Sequence, residues 1–291
     1  QHDLVTGIFG MLAFLGAVWI NDALMLAARD AHAMGAKLVY LLYDLTPVLE
    51  TGHTAAVNRL FERYLNLVID TASIVPAISQ SSRNDFISYA SAHGAWAPVG
   101  SVTGLPCGIT PGRYDTSVRP WPRPYALFVG TVEARKNHVL AFNTWRQLID
   151  KHGADGVPDL VCIGRLGWHA DEFLRAYVES NGLGGKVSLL STSVSDAELA
   201  GFYANAEFTV YPSRYEGWGL PVSESLAFGK LPVVARNSSL PEAGGNLAVY
   251  FESGNASDMA KVIGRDALNL ETRMRIENQI AGEFVDLTWQ H

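Results

Sequence analysis

The sequence is short of most of the features that would place a protein quickly. It has two cysteines, Cys107 and Cys162, which excludes a disulfide scaffold and points to a reducing compartment. No cysteines and histidines fall at zinc-site spacing, and no Asp-x-Asp motif occurs. Basic residues are outnumbered, 22 to 29, leaving a net charge of -7. That excludes general attraction to nucleic acid while allowing a local basic site for an anion. There is no internal repeat and no low-complexity tract. The uncharged opening run, Leu4 to Ile20, ends at Asn21 and Asp22. It is short of the roughly 20 residues a membrane span needs, and it lacks the basic start and cleavage site of a signal peptide. It is expected to form a buried strand and a loop leading to a helix.

What is present is globular: 48% hydrophobic and 18% charged over 291 residues, enough for one large or two ordinary domains. "KLVYLLYDLTP" (Lys37–Pro47) is an apolar run that ends in a turn signal, as in a strand buried on both faces of a parallel sheet. Val57, Leu60, Phe61, Tyr64, Leu65 and Val68 recur at helical spacing. "SIVPAIS" (Ser73–Ser79) reads as a short strand, followed by a helix capped by Ser82 with Asp85. Pro111, Pro120, Pro122 and Pro124 crowd one stretch and mark a linker. Beyond it, candidate strands at Tyr125, Leu160, Lys186, Glu207, Leu231 and Leu247 alternate with helical segments, one opened by a Ser195–Glu198 capping box. Such alternation predicts a doubly wound α/β parallel sheet, with ligands beyond the carboxyl ends of its strands.

Two loops leave such strand ends. In "SRYEGWGLPVSESLAFG", Pro221 suits a first helical turn and Gly229 an end cap. Gly219 and Leu220 then lie at a helix N-terminus, where N–H groups and the helix dipole attract anions. Glu216 and Glu224 flank the turn. An isolated pair at this spacing reads as a dipole-complementing Glu224 and a solvated Glu216. The strand–glycine turn–proline–helix context favours ligand contact instead: Glu224 as acceptor for a ribose diol, Glu216 facing a sugar. In "VGTVEARKNHVLAF", Arg135 and Lys136 are adjacent cations in an acidic chain, suited to a diphosphate. As a mere exposed pair they would be poorly placed, because a helix start is already positive.

These residues resemble the retaining glycosyltransferases of family 4, which have the GT-B fold. The family's G-[TS]-x-x-x-R-K-N-like loop stands here as Gly130–Asn137, and its E-G-[FW]-G-L-P-x-x-E motif begins at Glu216. "LPEAGG" (Leu240–Gly245), "YDLTP" (Tyr43–Pro47) and "AISQSSRNDF" (Ala77–Phe86) are similar to further family segments, especially those of mannosyltransferase-like members. The resemblance implies two Rossmann-like doubly wound domains facing a cleft. Residues 1–110 would be an acceptor-side domain that is incomplete, since the family's first strand and glycine-rich loop should precede Gln1. Residues 111–124 would be a linker and 125–291 a nucleotide-sugar donor domain, whose crossover helix should continue past the last residue.

The resemblance also implies an activity: transfer of a hexose, mannose favoured, from a nucleotide-diphosphate sugar to a hydroxyl of a glycan or lipid-linked acceptor. The donor would be GDP-mannose by preference. No metal or other cofactor is implied. Arg135 and Lys136 would hold the diphosphate and stabilise the leaving group, with Glu216 at the sugar and Glu224 at the ribose. Backbone N–H groups of Gly217, Gly219 and Leu220 would contact phosphate and sugar. Gly130 belongs to the same loop, and Gly164, Arg165 and Val194 would meet the nucleobase. Many members carry His-Asp where this chain has Tyr43-Asp44, so a sugar-contacting histidine is missing. His53 is either its substitute or an ordinary exposed histidine. A cytoplasmic enzyme is expected, with room for peripheral association at the inner membrane surface. The competing readings are a nucleotide-sugar epimerase on the same scaffold and a non-catalytic nucleotide-sugar binding protein.

Overall fold

The computed structural model describes residues 4–6, 10–50 and 54–287. It divides into two compact units. The first comprises residues 1–104 with Glu216–Trp218; the second comprises 105–215 with 219–291.

The first unit holds β1 (Leu4–Thr6), β2 (Met11–Phe14), α1 (Asp22–Ala33), β3 (Lys37–Tyr40), α2 (Thr46–Leu49), α3 (Ala55–Thr71), β4 (Ala72–Ala77), α4 (Gln80–Ala92) and β5 (Val99–Val102). Its sheet runs β1-β2-β3-β4-β5. β1 is antiparallel to β2, whereas β2 to β5 are parallel. The apolar opening run therefore makes two paired strands, not one. Nor is it buried throughout: Met11, at the start of β2, and Leu15, just past its end, are exposed. Leu38 and Tyr40 of β3 are fully buried. Phe61, Tyr64, Leu65 and Val68 form the inward face of α3, whose start is capped by Thr54.

One cap differs from the expectation. Ser79, not Ser82, caps α4: its backbone is extended and its side chain accepts the Ser82 N–H at 3.0 Å. Ser82 is already in the first helical turn, and its hydroxyl donates to the Tyr43 carbonyl at 2.8 Å. A cap must sit outside helical geometry to turn its oxygen back onto the first N–H groups, and here the extended residue is Ser79.

The second unit follows the expected alternation: β6 (Tyr125–Val129), α5 (His138–His152), β7 (Asp159–Ile163), α6 (Asp171–Glu179), α7 (Asn181–Gly185), β8 (Val187–Leu190), α8 (Asp196–Asn205), β9 (Phe208–Tyr211), α9 (Leu220–Ala227), β10 (Pro232–Ala235), α10 (Leu240–Gly244), β11 (Val249–Phe251), α11 (Ala256–Val262) and α12 (Leu270–Glu283). The Ser195–Glu198 capping box is formed at the start of α8. The proline-rich 111–124 carries no helix or strand. It is fastened to the second unit by Trp121 and Arg123, which donate to Asp159 at 2.9 and 2.7 Å.

The second sheet is wholly parallel, in the order β11-β10-β9-β6-β7-β8. Every residue of β7, β9 and β10 is buried, as a sheet covered on both faces requires. From β6 the chain steps outward through β7 and β8, then returns to β9 on the other side. The point of reversal, between β6 and β9, is where open α/β sheets leave a crevice for ligands.

Candidate functional site

Both sequence-predicted loops leave the strands that flank this reversal. Gly130 ends β6, and its N–H donates to Ile163 at 2.9 Å. Ala134–Lys136 form one tight turn, Asn137 takes a left-handed conformation with φ of 62°, and α5 begins at His138. The Lys136 stem lies across Gly130, where an added Cβ would sit 3.4 Å from Lys136 Cδ. At Gly164 an added Cβ would overlap the Gly130 carbonyl. The packing of these two backbones explains that glycine without reference to a ligand.

The two loops are tied to each other. Arg135 donates through its guanidinium to the Tyr215 carbonyl at 2.8 Å, and the Arg214 N–H donates to the Arg135 carbonyl at 2.8 Å. Glu133 pairs with the same guanidinium at 2.8 Å, which orients it and offsets its charge. Asn237, from the loop after β10, donates to the carbonyls of Ser213 and Arg214 at 3.0 and 2.9 Å. The motifs gave no sign of Glu133 or Asn237, because each acts on backbone or on one partner rather than through spacing.

Gly219 is the cap of α9 with φ of 110°, a conformation open to glycine. An added Cβ would also meet Leu240 Cδ2 at 2.9 Å. Its carbonyl accepts the Val222 and Ser223 N–H groups. The N–H groups of Gly219 and Leu220 precede this ladder and have no intrahelical partner by construction.

Glu224 is one turn further along α9 and only 7% exposed. Its Oε2 accepts the Tyr203 hydroxyl at 2.8 Å, and the backbone N–H groups of Gly108 and Ile109 also favour its charged form. Burial outweighs these groups and raises its pKa above the usual carboxylate value. Arg165 is exposed, and its carbonyl accepts the Val132 N–H at 2.8 Å. Val194 is half-buried against the cluster around Phe202 and Tyr203. His138, beside Lys136 in sequence, stacks on Phe128 at 4.1 Å and is buried. Burial pushes its pKa down to about 3, so it stays neutral and belongs to the core.

Glu216 and Gly217 group with the first unit. Glu216 is 8% exposed. An added Cβ at Gly217 would lie 2.8 Å from the Tyr43 carbonyl and 2.9 Å from Asp44 Cβ, so close backbone approach fixes this glycine too. The Tyr43 hydroxyl donates to the Leu15 carbonyl at 2.7 Å, which gives this departure from the histidine pattern a structural task. His53 lies outside the described residues. Among the described residues no group of three or more His, Cys, Asp or Glu could hold a metal ion. No helix among them is long and apolar enough to cross a membrane.

Residues 116–281 match the family described as glycosyl transferases group 1, more than half of the chain. The serotype-specific mannosyltransferase WbdA of Escherichia coli is 26% identical over 248 residues, covering 80% of this chain and 30% of that protein. The O-antigen chain mannosyltransferase B of Escherichia coli is 38% identical over 129 residues, 44% of this chain and 32% of the relative. The chain thus spans about a third of the length of these relatives. Among solved structures, Anabaena HepE in complex with UDP and glucose superposes with a TM-score of 0.68 at 16% identity, covering 93% of this chain and 72% of that one. At that identity the likeness speaks for the fold, which is that of GT-B glycosyltransferases.

Proposed function

Because this chain belongs to the glycosyl transferases group 1 family, we propose that it moves a hexose from a nucleotide-diphosphate sugar to a hydroxyl, with retention at the anomeric carbon as in family 4. The observation that carries the reading is the joined pair of loops at the sheet reversal, in which the Arg135–Tyr215 bond fixes the cationic loop against the loop leading into α9. That arrangement suits a diphosphate: Lys136 and Arg135 supply positive charge, and the N–H groups of Gly219 and Leu220 add the helix N-terminus. Mannose is the favoured sugar because the relatives named above are mannosyltransferases. GDP-mannose is therefore the favoured donor, and a glycan or lipid-linked hydroxyl the acceptor.

In this scheme the bond between the anomeric carbon and the diphosphate oxygen breaks as the acceptor oxygen approaches the same face. Negative charge grows on the leaving diphosphate, where Lys136, Arg135 and the start of α9 stabilise it. Positive charge grows on the sugar, where Glu216 is assigned. Glu224 is assigned to the ribose, which does not change during reaction. Glycosidase-type covalent catalysis uses two carboxylates at the reacting bond; with Glu224 at the ribose, Glu216 alone remains there. Charge neutralisation by side chains means that no metal is required.

The test is calorimetric titration with GDP, UDP and ADP and their hexose conjugates, followed by a transfer assay with the tightest donor. Tight binding of one nucleotide diphosphate, with transfer and a retained anomeric configuration, is the expected result. Donor binding without hydrolysis or transfer would favour a binding protein, and inversion of a sugar stereocentre would favour an epimerase.

A further inference from the structure

The carboxylate of Glu224 is held before any ligand arrives. Tyr203, fully buried on α8, donates its hydroxyl to Oε2 at 2.8 Å. The N–H groups of Gly108 and Ile109 also favour the charged form of this carboxylate, and an added Cβ at Gly108 would lie 3.1 Å from its Oε1. Both residues come from the segment that opens the second unit, and the segment is itself pinned on its far side, where the Cys107 N–H donates to Asp286 Oδ1 at 3.1 Å. Tyr203 is fixed in turn by stacking on Phe228, ring centres 5.5 Å apart at 12°.

We infer that Tyr203 and the Gly108–Ile109 amides are positioning groups that aim Glu224 at a hydroxyl of the nucleotide ribose. The inference rests on the reading of Glu224 as the ribose acceptor. A glutamate side chain has three torsions to freeze, and its ordering opposes binding when the ligand must do it. Here the protein has already done so. An ionised carboxylate offers about four lone-pair directions. The Tyr203 hydroxyl takes one, and the two amides beside the group favour its charged form, so the side chain is less free to follow a misplaced ligand. The hydroxyl and the amides are neutral and leave the negative charge in place, which keeps the carboxylate a strong acceptor for one more hydroxyl. Neither Tyr203 nor Gly108 stood out in the sequence, since neither lies within a nucleotide-binding motif.

Gly108 offers a clean probe. A Cβ there would meet Glu224 Oε1 at 3.1 Å and nothing else within 4 Å. Its φ is outside the left-handed region, so alanine fits the backbone and only nudges the carboxylate. Tyr203→Phe removes one hydroxyl and keeps the stacked ring.

The experiment measures, by calorimetry, the affinity for whichever of GDP, UDP and ADP binds best and for its 2′,3′-dideoxy counterpart. The readout is the ratio of the two affinities, because any general loss of folded protein affects both ligands alike and cancels. The wild-type protein is expected to prefer the ribonucleotide by about 10-fold, the loss expected for one hydrogen bond to a charged group. In Tyr203→Phe and in Gly108→Ala the preference should fall to about 3-fold or less as the acceptor loses its aim. A wild-type ratio near one would overturn the ribose reading of Glu224 and this inference with it. A wild-type preference that survives unchanged in both variants would overturn the positioning role alone.

Discussion

The two ends of the second sheet both bury a carboxylate, and they treat it differently. At the amino end, Asp159 opens β7 with no exposure and is met by Arg123 at 2.7 Å and Lys186 at 3.1 Å. The Trp121 indole adds a further bond, and Arg273 pairs with Glu207 just ahead of β9. Charge there is answered by charge. At the carboxyl end, Glu224 is met by a hydroxyl and two amides, which favour its charged form without cancelling its charge. A buried carboxylate between cations is a structural fastener. One held by neutral donors still gains from another donor, and it sits where a parallel sheet leaves room for a ligand.

The largest effect should come from breaking the fastener. Asp159→Ala leaves Lys186, 17% exposed, and the more exposed Arg123 without their shared partner; because only the Lys186 charge stays largely buried, the cost should be about 3 kcal/mol, the lower end for a broken buried ion pair. Denaturant unfolding should show that loss, while the affinity of the remaining folded protein for a nucleotide diphosphate stays near wild type. Wild-type stability in this variant would erase the distinction between the two ends.

Lys136→Ala should do the reverse. Affinity for a nucleotide diphosphate should fall by about 1.5–3 kcal/mol, the range for hydrogen bonds to charged groups, and by more than stability does. Nucleoside affinity should hardly move. Arg135→Ala sharpens the contrast, because this guanidinium also holds the Tyr215 carbonyl and its loss should lower stability and affinity together. Equal loss for nucleoside and diphosphate in Lys136→Ala would remove Lys136 from the phosphate.

Only the carboxyl end of this division had a signal in the sequence, and the limits have physical causes. The alternation of apolar runs with helical stripes gave the parallel sheet of the second unit, since strands covered on both faces cannot hide their composition. The motif glycines suggest room for a phosphate, whereas the fold gives Gly130, Gly164 and Gly217 another task, each sitting against a side-chain stem or a carbonyl of the protein itself. The partners were not legible. Glu133, Asn237 and Tyr203 act through contacts made only by folding, and amides such as those of Gly108 and Ile109 carry no residue signature. The opening run misled for a related reason: an uncharged stretch says nothing about which of its residues face outward, and Met11 and Leu15 do.

A smaller effect separates the two glutamates of the α9 loop. Glu224→Gln should raise the Michaelis constant for donor with little change in turnover, because a ribose contact serves ground and transition states alike. Glu216→Gln should lower turnover about 10-fold or more, as loss of a charge opposite a developing cation does. Steady-state kinetics with varied donor decides between them. The same pattern in both variants would mean that the two carboxylates share one role.

The smallest effect is the most specific to a carboxylate held by neutral donors. Burial raises the folded-state pKa of Glu224 above the ordinary value of 4.5, and the ionised form is the one that accepts from a ribose hydroxyl. Donor affinity should therefore weaken as pH falls through that raised pKa. Stability should move the other way. Because the folded chain holds this proton more tightly than the unfolded chain, the Glu224 contribution to stability is greatest below 4.5 and declines as pH rises through the same window. One group thus gives binding and stability opposite slopes above pH 4.5, as the pH crosses the raised pKa. Glu224→Gln should flatten both slopes, since glutamine does not titrate. Calorimetry with a nucleotide diphosphate and denaturant titrations across that range read the two slopes separately. If the variant keeps the wild-type slope in binding, a different group controls the acid limb, and Glu224 loses its claim to the ribose.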